Sequence, residues 1–139
     1  MSDELYQAAI MDLANAADGA GTMENPTVEA VADNPLCGDR IKLAVRMEDG
    51  HIAAIAHEVK GCVLCQASAA ALSRHAIGAT PAALREVAAE VTGMLKKQEV
   101  ALPWEELKAF QPVAAHRSRH TCVTLPYRAL DKAFVAAGL

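Results

Sequence analysis

The sequence predicts an α+β fold in which a β-hairpin is combined with several helices. The hairpin is indicated by an alternating apolar run over 40–47 that an Asp-Gly pair joins to a second strand-like run over 51–60. Helical patterns lie on both sides of it in the chain. Apolar residues make up 53% of the chain but aromatic residues only 4%, so small and aliphatic side chains must form the core, which favours closely packed helices.

The chain before the hairpin is expected to form one helix and one long loop. Apolar residues recur at helical spacing over 4–17, and the glycines of "ADGAG" end the pattern. Residues 18–39 contain two Asn-Pro pairs and little periodicity, which predicts a loop. We expect 18–36 to be mobile, since loops of this length in a small domain are usually functional or disordered.

The two strands of the hairpin differ in regularity. In the second strand, Ile52 is out of phase with the alternation through Ile55 and His57, which predicts a β-bulge or a looser register near its start. We expect His57 to be a sheet residue with satisfied hydrogen bonds, not a metal ligand. The first strand alternates through Ile41, Leu43, Val45 and Met47.

Two helices should follow the hairpin directly. "CVLCQASAAALSRHAIG" predicts a helix of small residues that begins near Cys62 and ends at Gly78, a natural position for glycine after a helix. Thr80 and Pro81 then supply an N-cap and a first helical residue for the next helix.

The C-terminal third is predicted to contain a short helix, a loop and a last helix. After Pro103 the segment "WEELKAF" suggests a short helix, and residues 111–120 suggest a polar, basic loop. The last helix should begin near Cys122, because Pro126 is tolerated in a first turn.

Composition narrows the classes of function. A length of 139 residues fits one domain, over 1–139. A net charge of −4 argues against nucleic acid as the main partner, although "HRSRH" at 116–120 is locally basic. No signal peptide or membrane-length apolar run is recognisable, so we expect a cytoplasmic protein without a membrane partner. Thiols stay reduced there, and the cysteines are better interpreted as ligands, nucleophiles or buried apolar residues than as disulfides.

Three of the four cysteines share a local setting. Cys37 lies in the turn before the first strand, two residues from Asp39, and Cys62 and Cys122 lie at or just before predicted helix N-termini. Backbone N–H groups at such positions favour the thiolate. Three thiolates and one carboxylate could bind zinc or an iron–sulfur cluster. The intervals of 25 and 60 residues are not those of zinc-finger knuckles, so spacing leaves open both a metal site and three buried cysteines.

Three segments resemble the NifU-like iron–sulfur cluster assembly family, which includes the IscU and SufU proteins. They are "NPLCGDRIKL", "GCVLCQASAAAL" and "RHTCVTLPYRAL", in that order along the chain. The resemblance implies an α+β SufE/NifU-like fold with a small antiparallel sheet packed against helices, and sulfur received from a cysteine desulfurase. It also implies a Cys3Asp site made of Cys37, Asp39, Cys62 and Cys122.

Two details resemble the SufU branch of this family. The interval of 60 residues between Cys62 and Cys122 holds more helical sequence than in IscU-type members, and Arg119 stands three residues before Cys122. Thr121 takes the place of the histidine that precedes this cysteine in IscU-type members, and "HRSRHTC" replaces their chaperone-binding motif. SufU-type members resemble zinc-dependent sulfurtransferases, so the resident cofactor is expected to be Zn²⁺ or a [2Fe–2S] cluster. Arg119 or His120 could stabilise thiolate charge, and His120 could be an alternative ligand.

The expected function is sulfur acceptance in iron–sulfur cluster biogenesis. Cys37 would be the first nucleophile, and the sulfur would be relayed to downstream assembly or recipient proteins or built into a [2Fe–2S] cluster on the same ligands. The alternative is a thiol-disulfide oxidoreductase that uses the CxxC pair Cys62 and Cys65, although the hairpin before it is not the crossover unit of thioredoxin-like folds. Cys65 is otherwise a small buried residue.

Overall fold

The computed structural model describes residues 7–36 and 38–139. In these ranges the strands are β1 (Val28–Asn34), β2 (Asp39–Glu48) and β3 (His51–Lys60). The α-helices are α1 (Ala8–Ala16), α2 (Val63–Ala76), α3 (Pro81–Leu95) and α4 (His120–Ala136), and two 3₁₀ segments, Glu105–Ala115 and Arg117–Arg119, connect α3 to α4. The strands form one antiparallel sheet in the order β1-β2-β3, which confirms the predicted α+β fold.

The hairpin between β2 and β3 has the predicted turn and the predicted bulge. Asp49 and Gly50 both have positive φ, at 52° and 79°, as a two-residue type I′ turn requires. The register shifts between Arg46 and Met47. This irregularity lets Ile52, which is 1% exposed, join the core although it is out of phase with the rest of β3.

The predicted loop over 18–39 is wrong where it covers β1. Residues Val28–Asn34 pair with β2, and the register ends with Asn34 opposite Asp39. The strand was missed because its inward positions carry small side chains, such as Ala30, between flanking prolines and because β2 supplies its hydrogen bonds. The mobility expected for 18–36 stays a prediction.

The boundaries of α2 and α3 agree with the sequence prediction. Cys62 is the N-cap of α2, and Gly78 follows its end with a φ of +89°. The Thr80 hydroxyl accepts a hydrogen bond from the N–H of Ala83 at 3.2 Å, with proline at the first helical position of α3. Of the predicted first helix, residues 4–6 lie outside the described residues.

The segment before α4 and the start of α4 differ from the prediction. Residues 111–120 are mostly 3₁₀ helix rather than irregular loop, and α4 begins at His120. Pro126 therefore lies beyond the first turn, where it cannot donate a hydrogen bond to the Cys122 carbonyl. The expectation that Pro126 marks the first turn was wrong because burial of the surrounding helix offsets the loss of one helical hydrogen bond.

Packing places the beginnings of β2, α2 and α4 near one another. The inward side chains Ile41, Leu43 and Val45 of β2 are at most 1% exposed, and α4 contacts both β1 and β2. Helix α2 packs against β3, α1 and α4. Among the described residues, the helices are too short or too polar to cross a membrane.

Candidate metal centre

Asp39 is the buried carboxylate at the start of β2. It is 2% exposed and pairs across the sheet with Asn34, the last residue of β1. Gly38, which precedes it, has a φ of +74°, a left-handed conformation that glycine adopts without strain, and its N–H bonds to the Asn34 carbonyl at 2.8 Å. The turn between β1 and β2 therefore places Asp39 at one end of the sheet.

Cys62 meets Asp39 from the other side of the site. The N–H of Cys62 donates to Asp39 Oδ1 at 2.9 Å, and Cys62 Sγ lies 3.9 Å from Asp39 Oδ2. One carboxylate thus contacts both the backbone and the thiol at the N-cap of α2. The antiparallel pairing of β2 with β3, in which Arg40 lies opposite Lys60, brings the end of β3 and the start of α2 beside the start of β2.

Cys122, in the first turn of α4, completes the cluster. It is 0% exposed, and the donor atoms of Asp39, Cys62 and Cys122 all lie within 4.8 Å of one another. Residues 119 and 121 are partly exposed, so the cluster lies just below the surface at the start of α4. The structure therefore brings together three of the four predicted site residues, and Cys37 lies outside the described residues.

The two thiols of the cluster are electrostatically unequal. A hydrogen bond between the Cys122 thiol and the Cys62 sulfur lowers the pKa of Cys62 to about 6, against the opposing effect of burial. The N–H groups of Cys65 and Leu64 at the start of α2 act in the same direction. The pKa of Cys122 is raised by the same hydrogen bond, by burial and by nearby Asp39. The Cys62 thiol of the pair therefore loses its proton readily, and the Cys122 thiol keeps its proton.

Cys65 differs from these two cysteines. It is 0% exposed in the core, and burial, together with the charges of Asp39 and Cys62, raises its pKa to about 12. A thiol in this environment is a poor nucleophile. Its interpretation as a small buried residue is supported.

The other residues considered from the sequence have structural contacts. The Nε2–H of His57 donates to the Asp18 carbonyl at 2.8 Å, which ties β3 to the loop after α1. His57 Nδ1 is buried without a partner among the described residues, so its side chain is only partly satisfied. His120 Nε2 donates to the Ala114 carbonyl at 3.1 Å, which occupies one of its two possible ligand atoms. Arg119 is the N-cap of α4.

Two contributors to the site were not predicted from the sequence. Gly61 lies so close to Asp39 that a Cβ built on it would be 2.8 Å from Asp39 Cγ. Ser68 in α2 is 1% exposed and donates to the Val123 carbonyl of α4 at 2.5 Å, which joins the two helices that carry Cys62 and Cys122. A glycine directly before a cysteine was the signal for the first, and a serine within the alanine run of α2 was the signal for the second.

The donor set fits a thiophilic metal. Tetrahedral zinc sites take thiolate and carboxylate ligands at about 2.3 Å and about 2.0–2.2 Å, so their donor atoms lie about 3–4 Å apart. The donors here are separated by at most 4.8 Å, and small side-chain rotations would bring them to that spacing.

The fold and the cluster together define an α+β protein with a buried carboxylate and thiol pair at one end of a three-stranded sheet. The family model for the NifU-like N-terminal domain matches residues 5–123, and the chain belongs to this family. The sequence-based assignment is thereby confirmed.

Individual relatives span most of the chain. The zinc-dependent sulfurtransferase SufU of Bacillus subtilis (strain 168) is 26% identical over 132 residues, which cover 94% of this chain and 89% of that protein. The iron–sulfur cluster assembly scaffold protein IscU of Streptococcus pyogenes serotype M1 is 31% identical over 134 residues, with 94% and 83% covered. The crystal structure of a nitrogen-fixing NifU-like protein (N-terminal) from Brucella abortus has a TM-score of 0.90 and 30% identity, with 99% of this chain and 96% of that chain covered.

Proposed function

We propose that this chain accepts sulfur from a cysteine desulfurase in cytoplasmic iron–sulfur cluster biogenesis. The proposal rests on one observation: the donor atoms of Asp39, Cys62 and Cys122 lie within 4.8 Å of one another at one end of the sheet. Cys37 stands two residues before Asp39 in the sequence. Membership of the NifU-like family supports it. Cys37, Asp39, Cys62 and Cys122 form the proposed metal site, and the sulfur goes on to assembly or recipient proteins.

Sulfur transfer requires one thiolate and no external oxidant. The thiolate of Cys37 attacks the outer sulfur of the desulfurase persulfide, a new S–S bond forms on Cys37, and the S–S bond of the donor breaks. The desulfurase cysteine leaves as a thiolate, so electrons and charge balance. Cys37 is assigned this step because Cys62 is half-buried and Cys122 is fully buried.

The ligand residues have separate tasks. Cys122 is a fully buried thiol donor and Cys62 is a half-buried one, and Asp39 supplies a buried carboxylate that already accepts the Cys62 N–H. A bound Zn²⁺ would keep the coordinating sulfurs deprotonated. Since a carboxylate is a harder donor than a thiolate, Asp39 is the ligand we expect to yield its place most readily.

Zinc and a [2Fe–2S] cluster make two versions of the proposal. In the zinc version the chain relays persulfide sulfur, and in the scaffold version it assembles a cluster as cargo on the same ligands. Thr121 before Cys122 favours the zinc version, since a histidine stands there in IscU-type members.

Metal and sulfide analysis of protein purified without oxygen or chelator tests the proposal. One zinc and no sulfide per chain would support the relay, and equal amounts of iron and sulfide would support the scaffold. The variants Cys37→Ala, Cys62→Ala and Cys122→Ala should each lose metal and stimulation of a cysteine desulfurase. Cys65→Ala is the matched control and should keep both. If the three variants kept both properties as well, the shared site would be refuted.

The CxxC oxidoreductase is disfavoured by the burial of Cys65. A dithiol enzyme forms a mixed disulfide with its substrate and then an internal disulfide between its two cysteines, so both sulfurs must react. A buried Cys65 thiol with a pKa of about 12 provides very little of the thiolate that this reaction needs. A reversible Cys62–Cys65 disulfide with turnover in a dithiol assay, independent of Cys37 and Cys122, would restore this alternative.

A further inference from the structure

Gly61 lies between the last residue of β3 and the N-cap of α2, and space explains the absence of a side chain there. Its φ lies outside the left-handed region, so conformational freedom is not the reason. A Cβ added to Gly61 would overlap Asp39 Oδ1 and would lie 2.8 Å from Asp39 Cγ and 3.0 Å from Asp39 Cβ. The Asp39 carboxylate therefore occupies the volume that any side chain at position 61 would need.

The neighbouring contacts restrain both Asp39 and Gly61. Asp39 is 2% exposed and accepts the Cys62 N–H, so its carboxylate is held on one side by α2. The Gly61 carbonyl accepts a hydrogen bond from Gln66 Nε2 at 3.2 Å, which fixes the peptide between β3 and α2. A methyl group at position 61 must therefore displace the Asp39 carboxylate or separate β2 from the start of α2.

We propose that Gly61 is a positioning residue for the metal site, because its missing side chain leaves the space from which the Asp39 carboxylate reaches Cys62 and Cys122. The inference rests on the proposed metal function. A larger residue at position 61 would withdraw the carboxylate from the donor set while leaving all proposed ligands in the sequence. Loss of a group that orients a ligand typically weakens metal binding by about 10- to 100-fold.

The test measures Zn²⁺ affinity of the full chain by competition with a chromophoric chelator, together with the visible spectrum of the Co²⁺-loaded protein. Gly61→Ala should raise the Kd for Zn²⁺ by about 10- to 100-fold and shift the Co²⁺ bands in the same direction as Asp39→Ala. Gly93→Ala is the matched control, since a Cβ there would lie 2.8 Å from Val100 Cγ1 in a region away from the site. It should lower the Tm and leave the Kd and the spectrum unchanged.

A double variant separates positioning from a general role in folding. In Asp39→Ala/Gly61→Ala the carboxylate is gone, and the closest remaining approach is the 3.0 Å contact with the Cβ of residue 39. The Kd of this variant should equal that of Asp39→Ala within about twofold, because the two changes act on one interaction. If Gly61→Ala fails to fold, the double variant should fold, whereas Asp39→Asn/Gly61→Ala should not.

Each result decides the inference. A Gly61→Ala protein with wild-type affinity and spectrum would overturn it and leave the proposed function intact. A double variant that binds much more weakly than Asp39→Ala, or that does not fold, would also overturn it. If the wild-type chain bound neither Zn²⁺ nor Co²⁺, the proposed metal function would fail and the inference with it.

Discussion

The Cys62 thiol of the metal-free protein should titrate well below an ordinary cysteine, and removal of Cys122 should reverse this. The pKa of Cys62 is lowered from 9.0 to about 6, and the largest cause is the hydrogen bond with Cys122. At pH 7 this difference raises the thiolate share from about 1% to about 90%. In Cys122→Ala the opposing effect of burial remains while the largest favourable contact is gone, so the pKa of Cys62 should rise toward 9.0.

The midpoint of the titration is a better measure than the rate at one pH. A lower pKa also makes each thiolate less nucleophilic, by about 20-fold for a pKa lowered by three units at a Brønsted slope of about 0.45. This loss cancels most of the roughly 90-fold gain in thiolate share, which leaves a net change of only about fourfold at pH 7. A small difference in alkylation rate between the variant and its parent would therefore say little about the pKa of Cys62, whereas a shift of the titration midpoint measures the change in pKa directly.

The assay is iodoacetamide alkylation of chelator-treated protein across the pH range, with the modified cysteine identified by mass spectrometry. A Cys37→Ala background removes the other candidate nucleophile. Cys65→Ala is the control, because it keeps the backbone N–H that acts on Cys62. A midpoint near 9.0 in the parent, or an unchanged midpoint in Cys122→Ala, would refute the assignment of the low pKa to this thiol pair.

Three further predictions concern stability, measured as the free energy of unfolding in urea. Burial lowers the pKa of His57 below 6.5, so between the folded and unfolded pKa values the unfolded state binds more protons than the folded state. The free energy of unfolding should therefore decrease as the pH falls through 6.5 toward the folded pKa. The variant His57→Gln should lose this pH dependence. Thr80→Ala should cost about 1 kcal/mol by removing the hydrogen bond to the Ala83 N–H, with Thr80→Ser as a nearly neutral control. Ser68→Ala should cost about 0.5–1.5 kcal/mol, the usual net contribution of one hydrogen bond, because the Val123 carbonyl lies within α4 and keeps its helical hydrogen bond. An unchanged urea midpoint would show that the bond to Ser68 contributes nothing.

Local signals in the sequence were sufficient for much of the fold. The positive φ of Asp49 and Gly50 follows from an Asp-Gly pair between two alternating runs, and the bulge near Ile52 follows from its phase error. Strand β1 gave no such signal, because its small side chains alternate weakly and its pairing partner lies across a turn. The start of α4 was misplaced because a rule for isolated helices was applied to Pro126, whose helix is stabilised by packing.

The site was predictable as a set of residue types but not as an arrangement. Cys62 and Cys122 both lie at helix starts, as predicted. The thiolate is favoured only at Cys62, because the hydrogen bond between the two thiols, burial and nearby Asp39 raise the pKa of Cys122. The contact between Asp39 and the Cys62 N–H depends on the register of β2 against β3 together with the turn from β3 into α2, which no local pattern specifies. The assignment of all four ligands stays a prediction.

The pairing of β1 with β2 limits how far Cys37, the proposed sulfur acceptor, can lie from Asp39. Asn34 and Asp39 are opposite each other in the sheet, so the segment that carries Cys37 is a four-residue connection with both ends fixed, not the end of a long loop. At about 3.3–3.6 Å per residue, covalent geometry keeps the Cα atoms of Cys37 and Asp39 within about 7 Å. In the proposed transfer, the Cα atom of the accepting residue would therefore stay within about 7 Å of the Asp39 Cα atom. Under the proposed function, a cysteine desulfurase would therefore have to present its persulfide at this end of the sheet.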